Sequence, residues 1–384
     1  MTSKLEELIA KLCPNGVEYK KIGDIADYEQ PTKYIVKSTK YDDSFTTPVL
    51  TAGQSFILGY TDELDDIYLA SKDNPVIIFD DFTGAIQWVD FPFKVKSSAM
   101  KMITTKSNVL IRYLYHWMSL LGFSSSEHKR LWISTYSNFE IPVPPLDVQA
   151  EIVRILDTFT ELTAELTAEL TARKKQYEYY RDTLLTFNDN NPLHSLIQRY
   201  CPNGVEYKKI GDIATLSRGK VMSKSFINDN SGEYPVYSSQ TENNGQFGAI
   251  STYMFDGKYV TWTTDGANAG TVFYRDGKFS VTNVCGVIDI SDCQVDTKYV
   301  YYALTIHAKN YVSSGMGNAK LMSNVMSKVT IPVPPLEVQR QIVQILDRFD
   351  ALCNDLTQGL PAEIEARRKQ YEYYRDQLLT FKRA

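Results

Sequence analysis

Two eight-residue stretches hold the side chains best suited to recognition chemistry. Residues 123–130 read Phe-Ser-Ser-Ser-Glu-His-Lys-Arg and residues 313–320 read Ser-Ser-Gly-Met-Gly-Asn-Ala-Lys, and the two align without a gap ahead of one shared motif, IPVPPL. Each is rich in small polar residues and closes on a base. Hydroxyls, amides and backbone N–H groups on such loops suit non-covalent contact with phosphate oxygens and base edges. The candidates are Ser124, Ser125, His128, Lys129 and Arg130 in the first stretch, and Ser314, Asn318 and Lys320 in the second. Lys220, Asn243, Asn244, Asn268 and Arg275 extend the second set with the same mixture of base and amide. An ordinary helix-to-strand loop is the competing reading for either stretch alone, and the pairing at equivalent positions favours recognition.

Bond-making machinery is missing. There is no G-x-x-x-x-G-K-[ST] loop for ATP, no strand-to-helix G-x-G-x-x-G, and no Asn/Asp-Pro-Pro-Tyr loop of the adenine-methylating type. The glycines at 315 and 317 have the wrong spacing for a phosphate cradle, and His116, His128, His194 and His307 are scattered. Asp80, Asp81 and Asp265 have the chemistry for a metal, but acids at such Gly-rich punctuation fit turns. Five cysteines without a C-x-x-C spacing indicate neither a disulfide framework nor zinc, and are expected to be reduced. No catalytic residue, metal site or cofactor is therefore expected on this chain.

The elements that position these loops are laid out twice. CPNGVEYKKIGDIA stands at 13–26 and unchanged at 201–214; IPVPPLDVQAEIVRILDTF at 141–159 returns at 331–349 as IPVPPLEVQRQIVQILDRF; RKKQYEYYRDTLLTF at 173–187 returns at 367–381 as RRKQYEYYRDQLLTF. This is a tandem duplication. The stretches between, 27–140 and 215–330, share little identity, although short β-rich runs can be overlaid: 48–50 with 235–237, 76–79 with 259–262, 85–88 with 271–274. Helical spacing at 109–121 falls near that at 298–310. One fold with two surfaces is expected.

After each IPVPPL the pattern turns helical. From 148 to about 187 there is no Pro or Gly, and Ile152, Ile155, Leu156, Phe159, Leu162, Leu166 and Leu170 lie three or four apart, the last three on a Thr-Ala-Glu-Leu beat. A rod of roughly 60 Å follows at ~1.5 Å per residue. The alternating prolines ahead of it predict an extended, polyproline-like joint. The second rod is four residues longer and carries Gly359-Leu-Pro361, which predicts a kink or interruption there. Residues 1–146, 147–193, 194–336 and 337–384 are thus read as domain, rod with linker, domain, rod. The residues Lys174, Tyr177, Tyr180 and Arg181, with Arg368, Tyr371, Tyr374 and Arg375, are candidates for a surface used twice on two copies of one partner. Packing of the copies on each other is the alternative.

Bulk properties set limits. The formal net charge is -5 with 43% hydrophobic residues, and only 194–336 holds more base than acid, 13 Lys plus Arg against 11. A duplex held by phosphate neutralisation alone needs far more, so any DNA complex must draw charge from partner subunits. The first residues lack an apolar signal region and no run approaches ~18 apolar residues, so a cytoplasmic location without membrane contact is expected.

The full arrangement resembles the specificity subunit of type I restriction-modification enzymes. It rests on CPNGVEYKKIGDIA, a variable domain, IPVPPL-x-x-Q-x-x-I-V-x-I-L-D and RKxQYEYYRD, each present twice, with the TAEL beat in the central helix. The resemblance implies an α+β chain in which two pseudo-two-fold related mixed α/β target recognition domains are separated by two long antiparallel helices forming a coiled coil. It implies double-stranded DNA as ligand, read as a split, asymmetric sequence. Two methyltransferase and two restriction subunits are the implied partners, and S-adenosylmethionine, ATP and Mg are expected on them. A two-domain protein scaffold that does not read DNA is the alternative.

Overall fold

The run Val-Ile-Ile-Phe-Asp at Val76–Asp80 is buried at every position, as a strand covered on both faces should be. Its alternation assigns Ile77 and Phe79 to one core, and Val76 and Ile78 to another. In a computed structural model that describes residues 3–51, 56–121, 130–313 and 318–384, this strand is central to a sheet ordered Ala26–Glu29, Met100–Thr105, Val76–Asp80, Ile86–Val89, with all neighbours antiparallel. A three-stranded sheet, Ile57–Thr61, Thr47–Leu50, Lys94–Val95, closes the second core, its last pair parallel. The helix Ile111–Leu121 covers the first.

The second domain repeats this plan with a different strand economy. Ala214–Arg218, Cys285–Ile290, Phe255–Thr263 and Val272–Val281 follow the same order, and Ser231–Tyr237 and Gln246–Ile250 continue it into one six-stranded sheet. Val272–Val281 does alone what Ile86–Val89 and Lys94–Val95 do in the first domain: its end pairs parallel with Ser231–Tyr237, as Lys94–Val95 pairs with Thr47–Leu50. Near the end of the ribbon of Phe255–Thr263 and Val272–Val281 away from its hairpin, Gly257 faces Gly277. Both have positive φ, 135° and 98°, which a side chain would resist. The four overlays drawn from the sequence match these elements, and the domains share one fold.

The duplicated frame packs upon itself inside each domain. Tyr19–Lys21 pairs antiparallel with Glu140–Pro142, and Tyr207–Lys209 with Thr330–Pro332. The joint is therefore part strand, and its prolines sit where a two-stranded edge loses no ladder bond. The Tyr113 hydroxyl donates to the Pro142 carbonyl at 2.9 Å and that of Tyr299 to Pro332 at 2.8 Å. The motif glutamine has a role that the sequence did not disclose. Gln149 is fully buried, accepts from Leu110 N–H and donates to the Asn108 and Pro144 carbonyls. Gln339 accepts from Asp296 N–H and donates to Gln294 and Pro334. Gln339→Ala takes the partner from three backbone groups, of which the Pro334 carbonyl is buried and the other two partly so, so urea unfolding of the second domain should show a loss of about 1–3 kcal/mol.

The first rod is one helix of 39 residues, Leu146–Leu184. The second is interrupted, as expected: Leu336–Asn354 ends, Asp355 accepts from the N–H groups of Thr357 and Gln358, and Leu360–Leu378 begins. The chain divides into two compact units, residues 1–167 with 363–384, and residues 168–362. Each unit thus combines a domain, the beginning of one rod and the end of the other. In the first, Phe159 stacks on Tyr374 with ring centroids 5.2 Å apart; in the second, Phe349 stacks on Tyr180 at 5.3 Å.

Buried polar contacts fasten each domain helix to its rod. Asp157 accepts from Arg112 Nε at 2.7 Å and lies 2.9 Å from His116 Nε2, whose Nδ1 meets the Tyr371 hydroxyl at 3.0 Å. At the equivalent place Asp347 accepts from the Tyr302 hydroxyl and Lys298. Burial pushes the His116 imidazole below its ordinary range despite the opposing pull of Asp157. Below about pH 6.5 the unfolded imidazole takes up a proton that the folded one resists, so stability present above that pH is lost as pH falls through the folded value. Thermal melting of the first unit should drop between pH 7 and 5, and His116→Gln should flatten that slope. Among the described residues no helix is long and apolar enough to cross a membrane.

Candidate nucleic-acid interface

In the second domain hydrogen bonds tie the candidate loops into one surface. Ser313 N–H donates to the Lys320 carbonyl at 3.0 Å, Gly266 N–H to Ala319 at 3.0 Å and Leu321 N–H to Thr264 at 2.8 Å, which weaves residues 318–321 onto the turn after Phe255–Thr263. Asn268, on that turn, donates from Nδ2 to the Thr241 hydroxyl at 3.1 Å and so joins it to the loop between Ser231–Tyr237 and Gln246–Ile250. On the far side of that loop the Thr282 hydroxyl donates to Ser238 at 3.0 Å, and Lys220 bridges Thr282. Lys220, Asn243, Asn244, Asn268, Asn318 and Lys320 are all exposed.

Arg275 is the exception and a correction. It is 3% exposed, buried beneath this surface. Its Nε donates to the Thr261 hydroxyl at 3.1 Å and its Nη2 to the Asn244 carbonyl at 2.8 Å, while its plane lies 3.5 Å from the Tyr237 ring centroid and 4.6 Å from that of Phe273. The guanidinium has exchanged a ligand for the fold. What it holds is a turn in which Asn243, Asn244 and Gly245 all have positive φ, 48°, 52° and 77°. Most L-residues enter that region at a cost of ~1–2 kcal/mol, and Asn is among those that tolerate it.

In the first domain Arg130 is exposed and heads the short helix Leu131–Ser134, whose Leu131 N–H donates to the Asp81 carbonyl at 2.8 Å. This is the bond that Leu321 makes to Thr264, so Arg130 and Lys320 occupy equivalent places. Ser124, Ser125, His128, Lys129 and Ser314 lie outside the described residues. Asp81 also accepts from Trp132 N–H and faces the buried Lys101 ammonium at 3.4 Å, whereas Asp80 accepts from Phe82 and Thr83 N–H. These acids serve turns, and no cluster of three metal-ligating side chains occurs among the described residues.

Comparison with known proteins bears on both domains. Residues 14–173 and 202–366 each match the family model for the type I restriction modification DNA specificity domain. The chain belongs to this family. It is 41% identical over 95% of its length, and 94% of the relative's, to the Escherichia coli type I restriction enzyme EcoR124I/EcoR124II specificity subunit. A putative type I specificity subunit of Mycoplasma pneumoniae is 44% identical over 62% of this chain and 92% of its own. The fold matches the crystal structure of a type I restriction-modification S subunit from M. genitalium with a TM-score of 0.67 at 14% identity, covering 95% of this chain and 97% of that one.

For this family member the duplicated RKxQYEYYRD has two faces. Tyr177 and Tyr180 pack against the core of the second unit, and Tyr371 and Tyr374 against that of the first. Arg375 donates to the Ser119 carbonyl and Arg181 pairs with Asp182. The inward rings are therefore held by the chain's own fold, which corrects their reading as partner-facing. Lys174 and Arg368 are exposed, and the outermost rings are Tyr179 at 65% and Tyr373 at 62%.

Proposed function

We propose that this chain is the DNA-reading subunit of a type I restriction-modification complex, each domain reading one half of an asymmetric bipartite double-stranded target across an unread spacer. One observation carries the reading: a single fold occurs twice, with different side chains at the equivalent loop positions. A two-fold frame with two unlike surfaces fits two unlike half-sites, where identical surfaces would fit a palindrome. In this reading 1–146 and 194–336 are the recognition domains, and 147–193 and 337–384 run antiparallel as a coiled-coil spacer. The stacked Phe159–Tyr374 and Phe349–Tyr180 pairs support it.

The chain has no catalytic task of its own. Two methyltransferase subunits dock on the rods, two restriction subunits complete the nuclease in the cytoplasm, and S-adenosylmethionine, ATP and Mg belong to those partners. Exposed Tyr179 and Tyr373, at matched places in the two repeats, are the anchors offered to two copies of one partner. Mapping methylated adenines genome-wide in cells with and without the gene tests the whole reading. A bipartite motif that appears only with the gene supports it, and an unchanged methylome leaves the protein scaffold. Lys220→Ala with Lys320→Ala should reduce the slope of log affinity against log salt by about 0.9 for each phosphate no longer neutralised. Both half-sequences should persist, as checked by filter binding across a salt series.

A further inference from the structure

The turn Glu242–Gly245 and the buried arginine under it remain unexplained by phosphate binding. Its outward residues are Glu242, Asn243 and Asn244, an acid and two amides with no cation among them. The cations stand to either side: Lys220 beside Thr282, which bonds to Ser238, and Lys320 on the segment that bridges the Asn268 turn. A carboxylate at the tip repels phosphates, whereas amides and carboxylates both match base edges in a major groove. The surface thus sorts into flanks suited to backbone and a tip suited to bases.

The tip is also built to stay in one shape. Three successive residues with positive φ form a turn that Asn and Gly can adopt, and Arg275 fixes it by donating to the Asn244 carbonyl from below while Tyr237 and Phe273 flank its plane. A Cβ on Gly245 would come within 3.1 Å of the Arg275 Nη2, so the guanidinium fills the hollow of the turn. The Gly245 carbonyl accepts from Ser238 N–H at 3.1 Å, closing the loop. A backbone fixed in a sparsely populated geometry and aimed outward is the arrangement expected where geometry serves a ligand.

Resting on the DNA-reading function proposed above, we infer that Asn243 and Asn244 read base edges in the half-site of the second domain, at an A·T pair, and that Arg275 is the positioning residue that sets their geometry. An Asn side chain accepts from the adenine N6 amino group through its oxygen and donates to N7 through its nitrogen, the paired contact that singles out adenine. Arg275 itself touches no DNA.

The test uses the full complex with its methyltransferase subunits on a library of targets randomised at each position. Asn243→Ala with Asn244→Ala should relax discrimination at one or two A·T positions of the second half-site by ~5- to 150-fold. The first half-site and the salt slope should not change. Arg275→Met should relax the same positions, the triple variant should be no worse than the double, and Arg275→Lys should recover part of the preference. An arginine that merely stabilised the domain would lower affinity at every position together. If Arg275→Met fails to fold, the surface double still decides the matter. Unchanged base preference in the double overturns the inference, as does a uniform loss with a shallower salt slope, which would make the turn a phosphate contact. Relaxation at a G·C pair overturns the adenine assignment. A wild-type complex without any sequence preference would instead remove the proposed function itself.

Discussion

One more Thr-Ala-Glu-Leu inserted after Leu170 should lengthen the spacer between half-sites by one base pair and leave both half-sequences unchanged. Four residues add ~6 Å of helix and overshoot a 3.6-residue turn by about 40°. Leu162, Leu166 and Leu170 are half-buried, while Glu165, Ala168 and Glu169 between them are exposed, so an added beat preserves the stripe and disturbs no closed core. The boundary between the two compact units falls at Thr167 and Ala168, inside the repeat. The insertion after Leu170 lies three residues past that boundary, at the edge of the second unit, so it displaces only the end of the rod that unit holds. At ~3.4 Å per base pair along one strand, 6 Å is at most about two pairs, and less for a rod tilted from the duplex axis. Methylation mapping of the insertion variant decides it: an unaltered spacer ends the ruler idea, and altered half-sequences mean that the domains do not read independently.

Where a pattern repeats with a period, the sequence was an adequate guide. The duplication, the 39-residue helix, the break before Leu360 and the shared order of strands were all legible, because apolar spacing and Pro or Gly punctuation report local geometry directly. Partnerships made over long separations were not. Arg275 has the composition of a DNA contact, yet it lies under Tyr237 and Asn244, residues some 30 to 40 positions away. Gln149 and Gln339 look like surface glutamines until the domain helix beside each is in place. Their one available signal was recurrence at the same point in both copies of IPVPPLxxQ.

The tyrosines show the same limit from the other side, and they yield the second strong expectation. Within QYEYYRD, periodicity sets Tyr177 and Tyr180 on one stripe and Tyr179 off it. Near-identity of the copies suggested a shared partner, and the rings on the stripe were assigned to it. Stacking of Phe159 on Tyr374 and of Phe349 on Tyr180 shows that those rings answer to the chain's own packing, which is by itself enough to keep two copies alike. Tyr179 and Tyr373 are engaged far less: each is more than 60% exposed and meets its inward neighbour edge-on, with ring centroids 5.5 Å apart. An exposed aromatic with few rotors is the type of side chain that dominates interface energetics, where truncation costs about 2 kcal/mol or more. Tyr179→Ala and Tyr373→Ala should therefore each weaken one methyltransferase site by ~30-fold or more with little change in melting temperature. Tyr180→Ala and Tyr374→Ala should do the reverse, losing about 2–4 kcal/mol of stability as a half-buried ring leaves its stacked partner. Native mass measurement at graded methyltransferase concentration, set beside thermal melts of all four variants, separates the two faces. Full stoichiometry at limiting concentration in both Tyr179→Ala and Tyr373→Ala would leave the exposed face without a partner and return the repeat to packing alone.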